Sequence, residues 1–110
     1  PDELHAGHFA QLVAEVVALE TFTVTLRGHE GRLLVLDVQL EVPGADRSAI
    51  EQRVPLLRDA IVLLASDYTP ASLDGLDGKL ALRDELLGRL NAVLAGPKIT
   101  RVYFTQFLVQ

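Results

Sequence analysis

Apolar and polar residues alternate with a period of two in two neighbouring segments. Thr21–Leu26 reads T-F-T-V-T-L, so its three apolar residues fall on one side. Alternation of this kind, rich in β-branched and aromatic residues, predicts a strand that is buried on one face. Between Arg32 and Val42 every even-numbered residue from Leu34 onwards is apolar, which predicts a second strand. The polar loop 27–31 contains two glycines and indicates a hairpin connection between the strands.

The N-terminal segment has a different period. Between Asp2 and Leu19, apolar side chains recur three and four positions apart, as on one face of an amphipathic helix. Asp2 suits the N-cap of such a helix, because its carboxylate accepts hydrogen bonds from the free N–H groups of the first turn. We therefore expect a helix here, with an apolar stripe made of Phe9, Leu12, Val13, Val16 and Val17.

A second helix is predicted from Asp46 to Ser66. Its apolar residues recur at intervals of four, three, four and three from Ile50 to Leu64. Pro55 falls inside this pattern, where it lacks a backbone donor and clashes with the preceding turn. We therefore expect a bent helix, or two short helices that meet near residues 53–55. After it, Thr69 and Pro70 predict the N-cap and first position of a short turn through Leu73.

A third helix and a third strand complete the chain. The helix is predicted from Asp77 or Gly78 to the Gly96-Pro97 pair, which stops it. We expect Leu82, Leu86, Leu90 and Val93 to form its buried face, with Leu87 and Leu94 beside them. Residues 99–109 are rich in β-branched and aromatic residues, which predicts a strand. Because apolar residues stand at both odd and even positions of this strand, we expect both of its faces to be covered.

The predicted elements follow the order α-β-β-α-α-β in a single domain of 110 residues. This order favours an α+β fold, in which a small three-stranded antiparallel or mixed sheet packs against helices. Residues 1–18 form the N-terminal helix in this scheme, and residues 19–110 form the α/β core. A three-stranded sheet has two open edges, and open edges pair readily with other chains.

Composition excludes several classes of function. The net charge is −5, whereas broad binding to nucleic acid needs a basic surface. The chain has no cysteine, which excludes disulfides, thiolate metal sites and a cysteine nucleophile. No apolar run reaches the roughly 20 residues of a membrane helix, and no signal peptide is visible. Because the chain begins at Pro1 rather than Met, the sequence leaves open whether an anchor precedes it.

Candidate catalytic and metal-binding residues are few. The chain has no glycine-rich phosphate loop and no defensible Ser–His–Asp arrangement, so we predict no catalytic residue and no cofactor. His5 and His8 are one helical turn apart and could share a metal ion with Glu3 or His29. Surface histidines are the favoured interpretation, because a third ligand is missing. A metal- or ligand-binding module is nevertheless the alternative function, and a small hydrolase would need a concave pocket with perturbed titratable groups.

Several blocks of the chain, taken in order, resemble one known family. They include V-P-L-L-R-D-A-I at 54–61, Gly78-Lys79 at a helix start, L-N-A-V-L at 90–94 and V-Y-F-T-Q-F-L-V-Q at 102–110. Together with the strand blocks 19–26 and 36–42, they resemble the periplasmic domain of FliL, the flagellar basal-body-associated protein family. The resemblance covers about residues 17–110, and the terminal V-Y-F-T-x-F-x-x-Q is its most specific part. Gln106 and the Ala65-Ser66-Asp67 segment depart from the residues of many members.

The resemblance implies a non-enzymatic structural role in the flagellar motor. Members of the family carry one N-terminal inner-membrane helix and place this domain in the periplasm. They associate with the stator units of the motor and support torque and swarming. Their fold resembles the stomatin-type domain, and ring-shaped homo-oligomers are attributed to them. We therefore expect stator proteins, further copies of the chain and the membrane as partners, with no cofactor, no metal and no nucleic acid.

The family-motif positions are expected to shape the fold, because core positions usually reflect packing. They are Pro55, Arg58, Asp59, Gly78, Lys79, Asn91, Phe104, Thr105 and Phe107. For Asn91, among leucines, the simplest expected partner is a loop backbone. Residues 1–15 match no family pattern, and the helix predicted there would lie just beyond the membrane anchor. Its apolar stripe therefore supplies the candidate contacts with other subunits or partners, namely Phe9, Leu12, Val13 and Val16.

Overall fold

The computed structural model describes residues 13–110. In chain order its elements are strand β1 (Ala14–Thr25), strand β2 (Leu33–Pro43), helix α1 (Arg47–Glu51), helix α2 (Val54–Ala65), helix α3 (Leu76–Leu94) and strand β3 (Arg101–Val109). One-turn 3-10 helices, Gly44–Asp46 and Ala71–Leu73, precede α1 and α3. The strands form a three-stranded antiparallel sheet in the order β1-β2-β3. The predicted α+β class is confirmed, and the sheet is antiparallel rather than mixed.

The prediction of an N-terminal helix reaching Leu19 is wrong for residues 14–19, which belong to β1. The part of that helix over residues 1–12 lies outside the described residues. Val17 and Leu19 are buried, whereas Val16 and Ala18 are exposed, so the period here is two. The proposed boundary between residues 18 and 19 therefore falls inside a strand.

A β-bulge in β1 explains why the alternation is interrupted. Leu19 and Glu20 together oppose the single residue Val38 of β2. The extra residue changes which parity faces the helices: odd-numbered residues before the bulge, even-numbered residues after it. Glu20 has φ 68°, in the left-handed region that favours glycine. The strand thus keeps its apolar side chains on one face at the cost of an unfavourable backbone conformation.

A second bulge lies at the same level on the other side of β2. The register of β3 shifts between Asp37 and Val38, which leaves Thr105 without a partner in β2. Residues three apart in a regular strand point to opposite faces, but this bulge places Phe104 and Phe107 on the same side. Both rings pack against the core, with centroids 5.5 Å apart.

The helices cover one face of the sheet and bury a single apolar core. The even-numbered residues 34–42 of β2 are fully buried, whereas its odd-numbered residues stay partly exposed. Helix α3 buries Leu82, Leu86, Leu90 and Leu94. The assignment of Val93 to this face is wrong, because that residue is 37% exposed. The buried stripe follows the i+4 row, one of the ridges by which helices pack.

Pro55 separates α1 from α2, as predicted. Helix α1 ends at Glu51 and α2 begins at Val54. The proline therefore stands in the first turn of α2, where a missing N–H breaks no helical hydrogen bond. Between the helices, the Arg53 guanidinium donates to the carbonyl oxygen of Leu94 at 3.0 Å. That bond satisfies one of the free carbonyls at the end of α3.

The expectation that both faces of β3 are covered is wrong. Val102 is buried and Phe104, Phe107 and Val109 pack against the core, but Tyr103 and Leu108 are exposed on the opposite face. No element of residues 13–110 packs on that open face of the sheet. β3 is an edge strand, so it tolerates single exposed apolar residues that a central, doubly covered strand would bury.

Candidate functional site

Arg58 connects α2 to the bulge of β1. Its guanidinium donates to the carbonyl oxygen of Leu19 and, at 3.2 Å, to that of Thr21. Its central carbon lies 4.0 Å from the centroid of the Phe22 ring, within the range of a cation–π contact. The planar fork of arginine offers donors to two carbonyls at once, which suits the extra peptide group of a bulge. Arg58 therefore uses its donors to hold the edge of β1 in place.

Gly78 and Lys79 join the start of α3 to the 3-10 turn Ala71–Leu73. A Cβ at Gly78 would lie 1.6 Å from the carbonyl oxygen of Ser72, so this approach requires glycine. The Lys79 ammonium donates to the carbonyl oxygen of Leu73 at 2.8 Å and lies 5.3 Å from the centroid of the Phe107 ring. The pair fixes the turn against the helix.

Asn91 ties α3 to the segment that leads into β3. Its side-chain amide donates to the carbonyl oxygen of Ile99 at 2.9 Å, and the Ile99 N–H donates to its Oδ1 at 2.8 Å. This two-way pairing imitates a hydrogen-bonded pair of strand residues. The expected bond to loop backbone is present, and it places buried Ile99 beside the helix.

Some of the remaining motif residues pack in the fold, and others are exposed to solvent. Pro55 starts α2, and Phe104 and Phe107 pack against the core. Asp59 on α2 and Thr105 at the bulge of β3 are exposed to solvent. The motif residues therefore lie at separate junctions of the fold and do not converge on one site.

The candidate contact residues and the candidate metal ligands are only partly within the described residues. Phe9, Leu12, His5 and His8 lie outside them. Val13 and Val16 are exposed, and Val16, at 45% exposure, lies on the open face of the sheet. Among residues 13–110, no group of three or more His, Asp or Glu side chains is placed to hold a metal ion.

An exposed apolar stripe on α2 was not among the predicted contacts. It consists of Leu56, Val62 and Leu63, of which Leu63 is 61% exposed and Leu56 55% exposed. We refer to these three residues as the α2 stripe. Leu56 and Leu63 are seven positions apart and lie outside the buried seam, so the sequence did contain a signal for a second apolar side of this helix.

A groove of about 760 Å³ opens where the β1–β2 loop meets the connection between α2 and α3. Residues 27–32, residues 69–74 and the end of β3 form its walls. We refer to it as the end groove. Arg27, Arg32 and Lys79 line it together with the carboxylates of Glu30 and Asp74, and the Arg27 guanidinium also forms an ion pair with Asp67 at 3.5 Å. Residues from four separate segments meet here, so no sequence motif could reveal it.

Tyr68, next to the end groove in the chain, carries a buried hydroxyl without a hydrogen-bond partner among the described residues. Burial, followed by the nearby Glu85 carboxylate, raises the pKa of Tyr68 to about 12. The phenol is therefore neutral in the physiological range.

No helix within residues 13–110 combines the length and the hydrophobicity needed to cross a membrane. The described helices are instead amphipathic, with one side in the core.

Comparison with known proteins connects this architecture to one family. The sequence profile described as "Flagellar basal body-associated protein FliL" matches residues 16–110. The chain is 30% identical over 91 residues to "Flagellar protein FliL" of Aquifex aeolicus (strain VF5), which covers 81% of this chain and 56% of that relative. It is 28% identical over 101 residues to "Flagellar protein FliL" of Bacillus subtilis (strain 168), covering 91% and 71% respectively.

The chain thus spans a little over half, 56%, of the length of the Aquifex relative. The matched region begins inside β1 and continues to the last residue, so it contains nearly the whole sheet and all described helices. Each motif residue that forms a junction of the fold lies within it. The chain belongs to the FliL family of flagellar basal body-associated proteins.

Proposed function

We propose that this domain is a non-enzymatic interaction domain of the flagellar motor, which associates with stator units and supports torque and swarming. It acts in the periplasm, as part of a longer protein anchored in the inner membrane by an N-terminal helix. Several copies assemble into a ring around the stator, with a stomatin-like arrangement of the domain. Membership of a basal-body-associated family supports the motor as its location.

The α2 stripe is the observation that carries this proposal. Leu56 and Leu63 are more than half exposed on a helix whose other side is already buried in the core. Exposed apolar groups that cluster on one element indicate a surface for another protein. By contrast, Arg58, Lys79 and Asn91 use their polar atoms on backbone carbonyls and amides of the same domain. These polar side chains are therefore used within the fold, whereas the α2 stripe is an apolar surface that the fold leaves free for a partner.

A ring needs two different contact surfaces on each subunit, because head-to-tail contacts join unlike patches. The α2 stripe lies on the helical layer, and Val16 lies on the open face of the sheet. These two surfaces face in opposite directions, since the helices cover only the other side of the sheet. This arrangement supports a ring in which the helical layer of one subunit meets the sheet of the next.

The mechanism is mechanical in this proposal. The ring surrounds the periplasmic linker of the stator and holds it in its open state, which favours active stator units. Individual contacts are weak, since the membrane anchor raises the effective concentration of neighbouring subunits without new contacts. The experiments below therefore use the full-length, membrane-anchored protein.

Co-purification from motile cells tests the association. The full-length anchored protein is compared with a version that lacks only residues 13–110, expressed at the same level. We expect stator proteins to be recovered with the full-length protein and to be lost, by about ten-fold or more, without the domain. Equal recovery of stator proteins with both versions would assign the association to the anchor and remove this function from the domain.

A further inference from the structure

Asp37 stands in the middle of the open face of the sheet without a partner for its carboxylate. It belongs to the central strand β2, where it is paired with Thr21 of β1 and Gln106 of β3. Its Oδ1 is buried and accepts no hydrogen bond from residues 13–110. A buried acceptor without a donor is destabilising, because it has given up its water and gained nothing in exchange. A single subunit therefore leaves a carboxylate unpaired on the one face that its own helices do not cover.

Apolar side chains lie beside this carboxylate on the same face. Val35 is two positions earlier on β2, at a distance of about 7 Å along the strand. Leu108 of β3 is paired directly with Val35 and is exposed. We refer to Val35, Asp37 and Leu108 as the sheet patch. It combines one unpaired negative charge with a small apolar surface.

The helical layer has the converse arrangement between α2 and α3. Leu63 of the α2 stripe and Arg89 of α3 line the same groove, together with Ser66. Arg89 is exposed, and none of the ion pairs among residues 13–110 uses its guanidinium. We refer to Leu63 and Arg89 as the helix patch. It combines an apolar side chain with an unpaired positive charge.

The other charged groups around Arg89 have partners within the subunit. Arg27 lines the same groove but forms an ion pair with Asp67 at 3.5 Å. Glu85 precedes Arg89 by one turn of α3, yet it lies close to the Tyr68 hydroxyl and forms no ion pair with Arg89. Arg89 is therefore the cation of this groove whose charge the subunit leaves for a carboxylate from outside.

We propose that the helix patch of one copy of the chain binds the sheet patch of the next copy. Arg89 of one subunit donates to Asp37 of its neighbour, through the carboxylate oxygen that is not buried, and Leu63 packs on the apolar part of the sheet patch. This inference rests on the ring proposed above and names the contact that joins its subunits. Arginine suits the position, because its planar fork binds carboxylates in a directed way.

The two patches fix the symmetry of the contact. They lie on opposite sides of the domain, since the helices cover only the other face of the sheet. Two sheet patches placed face to face would oppose two Asp37 carboxylates, and two helix patches would oppose two Arg89 guanidinium groups. The favourable contact is thus head-to-tail, and such a contact repeats from subunit to subunit until a ring closes.

Cysteine cross-linking in the full-length, membrane-anchored protein tests this contact. Residues 1–110 contain no cysteine, so cysteines placed at Ser66 and Gln106, beside the two patches, are the only thiols of the domain. We expect one chain with both Ser66→Cys and Gln106→Cys, treated in motile cells with a short bis-maleimide, to form a ladder of dimers and higher oligomers. Each single variant should form none, because a head-to-tail contact does not bring equal positions together.

Charge reversal in this cross-linking background identifies the pair. Asp37→Arg and Arg89→Asp should each lower the yield of the ladder about ten-fold, since each brings like charges together. The double reversal restores opposite charges and should return the yield to within about three-fold of the starting level. Arg83→Asp, also on α3 but in a separate groove beside Tyr103, is the matched control and should leave the ladder unchanged.

A stability measurement separates this role of Asp37 from a purely structural one. Asp37→Leu replaces an unpaired acceptor by an apolar side chain, so the Tm of the 110-residue chain should stay the same or rise. The same substitution in the full-length protein should lower the yield of the ladder about ten-fold. A clear fall in Tm would show that Asp37 serves the fold of the subunit and would contradict the proposal.

The remaining outcomes are distinct from one another. Absence of a ladder would overturn the contact, and recovery of stator proteins from the same cells would show whether the proposed function stands without it. A ladder that neither charge reversal changes, or one formed by a single cysteine, would also overturn it. Lower stator recovery with Asp37→Arg, at an unchanged ladder, would assign the sheet patch to a stator protein. A charge-dependent ladder without any stator recovery would support the contact and refute the stator role.

Discussion

Replacing Arg58 by alanine tests how the bulge of β1 is held. The substitution removes both donors to the carbonyls of Leu19 and Thr21 and the guanidinium that covers the Phe22 ring. It leaves Glu20 at φ 68°, a conformation that non-glycine residues adopt only when their surroundings enforce it. We therefore expect the edge of β1 to loosen and the domain to lose stability, with the helical layer otherwise intact.

The magnitude follows from three contacts. A hydrogen bond from a charged donor contributes about 1.5–3 kcal/mol when it is shielded from water. Because the edge of β1 is partly open to water, we take about 1 kcal/mol for each of the two bonds. The cation–π contact adds about 0.5–1 kcal/mol. The expected loss is about 2–3 kcal/mol, which lowers the Tm of a domain of this size by roughly 8–20 °C.

Urea unfolding followed by circular dichroism measures the change. Arg58→Lys keeps the charge but replaces the planar fork by a single ammonium, so we expect it to recover about half of the loss. Arg89→Ala, an exposed position on α3, is the matched control and should stay within about 0.5 kcal/mol of wild type. A double-mutant cycle of Arg58→Met with Phe22→Leu isolates the ring contact, with an expected coupling of about 0.5–1 kcal/mol.

The reasoning would be refuted if Arg58→Ala were as stable as Arg89→Ala. It would also be refuted if Arg58→Lys matched wild type, because one ammonium cannot replace two directed donors. In either case the bulge would be held by packing alone, and the arginine of the family motif would need another role.

Three further changes test other junctions of the fold. Gly78→Ala brings a Cβ to 1.6 Å from a backbone carbonyl and should lower the unfolding free energy by about 3 kcal/mol or more. Gly88→Ala, in open space on the same helix, is the control and should stabilise the domain by about 0.4–1 kcal/mol. A smaller effect at Gly78 than at an ordinary surface site would contradict the close approach. Asn91→Ala leaves both backbone groups of Ile99 without their partner and should lower the unfolding free energy, measured in urea, by about 2–4 kcal/mol. A loss below about 0.5 kcal/mol would show that water replaces both bonds. Since the pKa of Tyr68 is raised from 10.0 to about 12, the folded state keeps this proton longer than the unfolded state, and stability should fall as pH rises through about 10–12. Tyr68→Phe should remove that part of the pH dependence. It should also be at least as stable as wild type near neutrality, because the hydroxyl has no hydrogen-bond partner within residues 13–110; a less stable variant at neutral pH would point to a bond with the nearby Glu85 carboxylate instead.

The sequence predicted the elements whose periodicity is uninterrupted. The alternation in β2 predicts the buried face of that strand, and the leucines four apart in α3 predict the buried face of that helix. Pro55 marks the break between α1 and α2. The class of the fold followed from their order. These successes share a cause, since local periodicity reports which side of an element contacts the core.

The failure at residues 14–19 has its origin in the bulge at Leu19 and Glu20. The inserted residue shifts the parity of β1, so the strand shows no continuous period of two across residues 14–26. A short apolar run with mixed spacing then fits a helix as well as a strand. Pairing with β2 decides between them, because it supplies a hydrogen-bond partner to every second residue, and that pairing is not visible in a local window.

The bulge at Thr105 had the opposite effect on β3. It placed Phe104 and Phe107 on one side, although their spacing of three had suggested a strand that is covered on both faces. The end groove was beyond prediction for another reason. Its walls come from segments around residues 27, 70, 79 and 108, which are adjacent only in the folded chain.

The α2 stripe provides the most direct test of the account, because it separates the surface that we assign to partners from the residues that hold the fold. Full-length anchored proteins with Leu63→Glu and with Ala92→Glu, an exposed position on α3, are compared for recovery of stator proteins from motile cells. We predict that Leu63→Glu lowers recovery about ten-fold while both proteins remain folded and inserted. Equal recovery with the two variants would contradict the account, since the exposed leucines of α2 would then contribute nothing to the association.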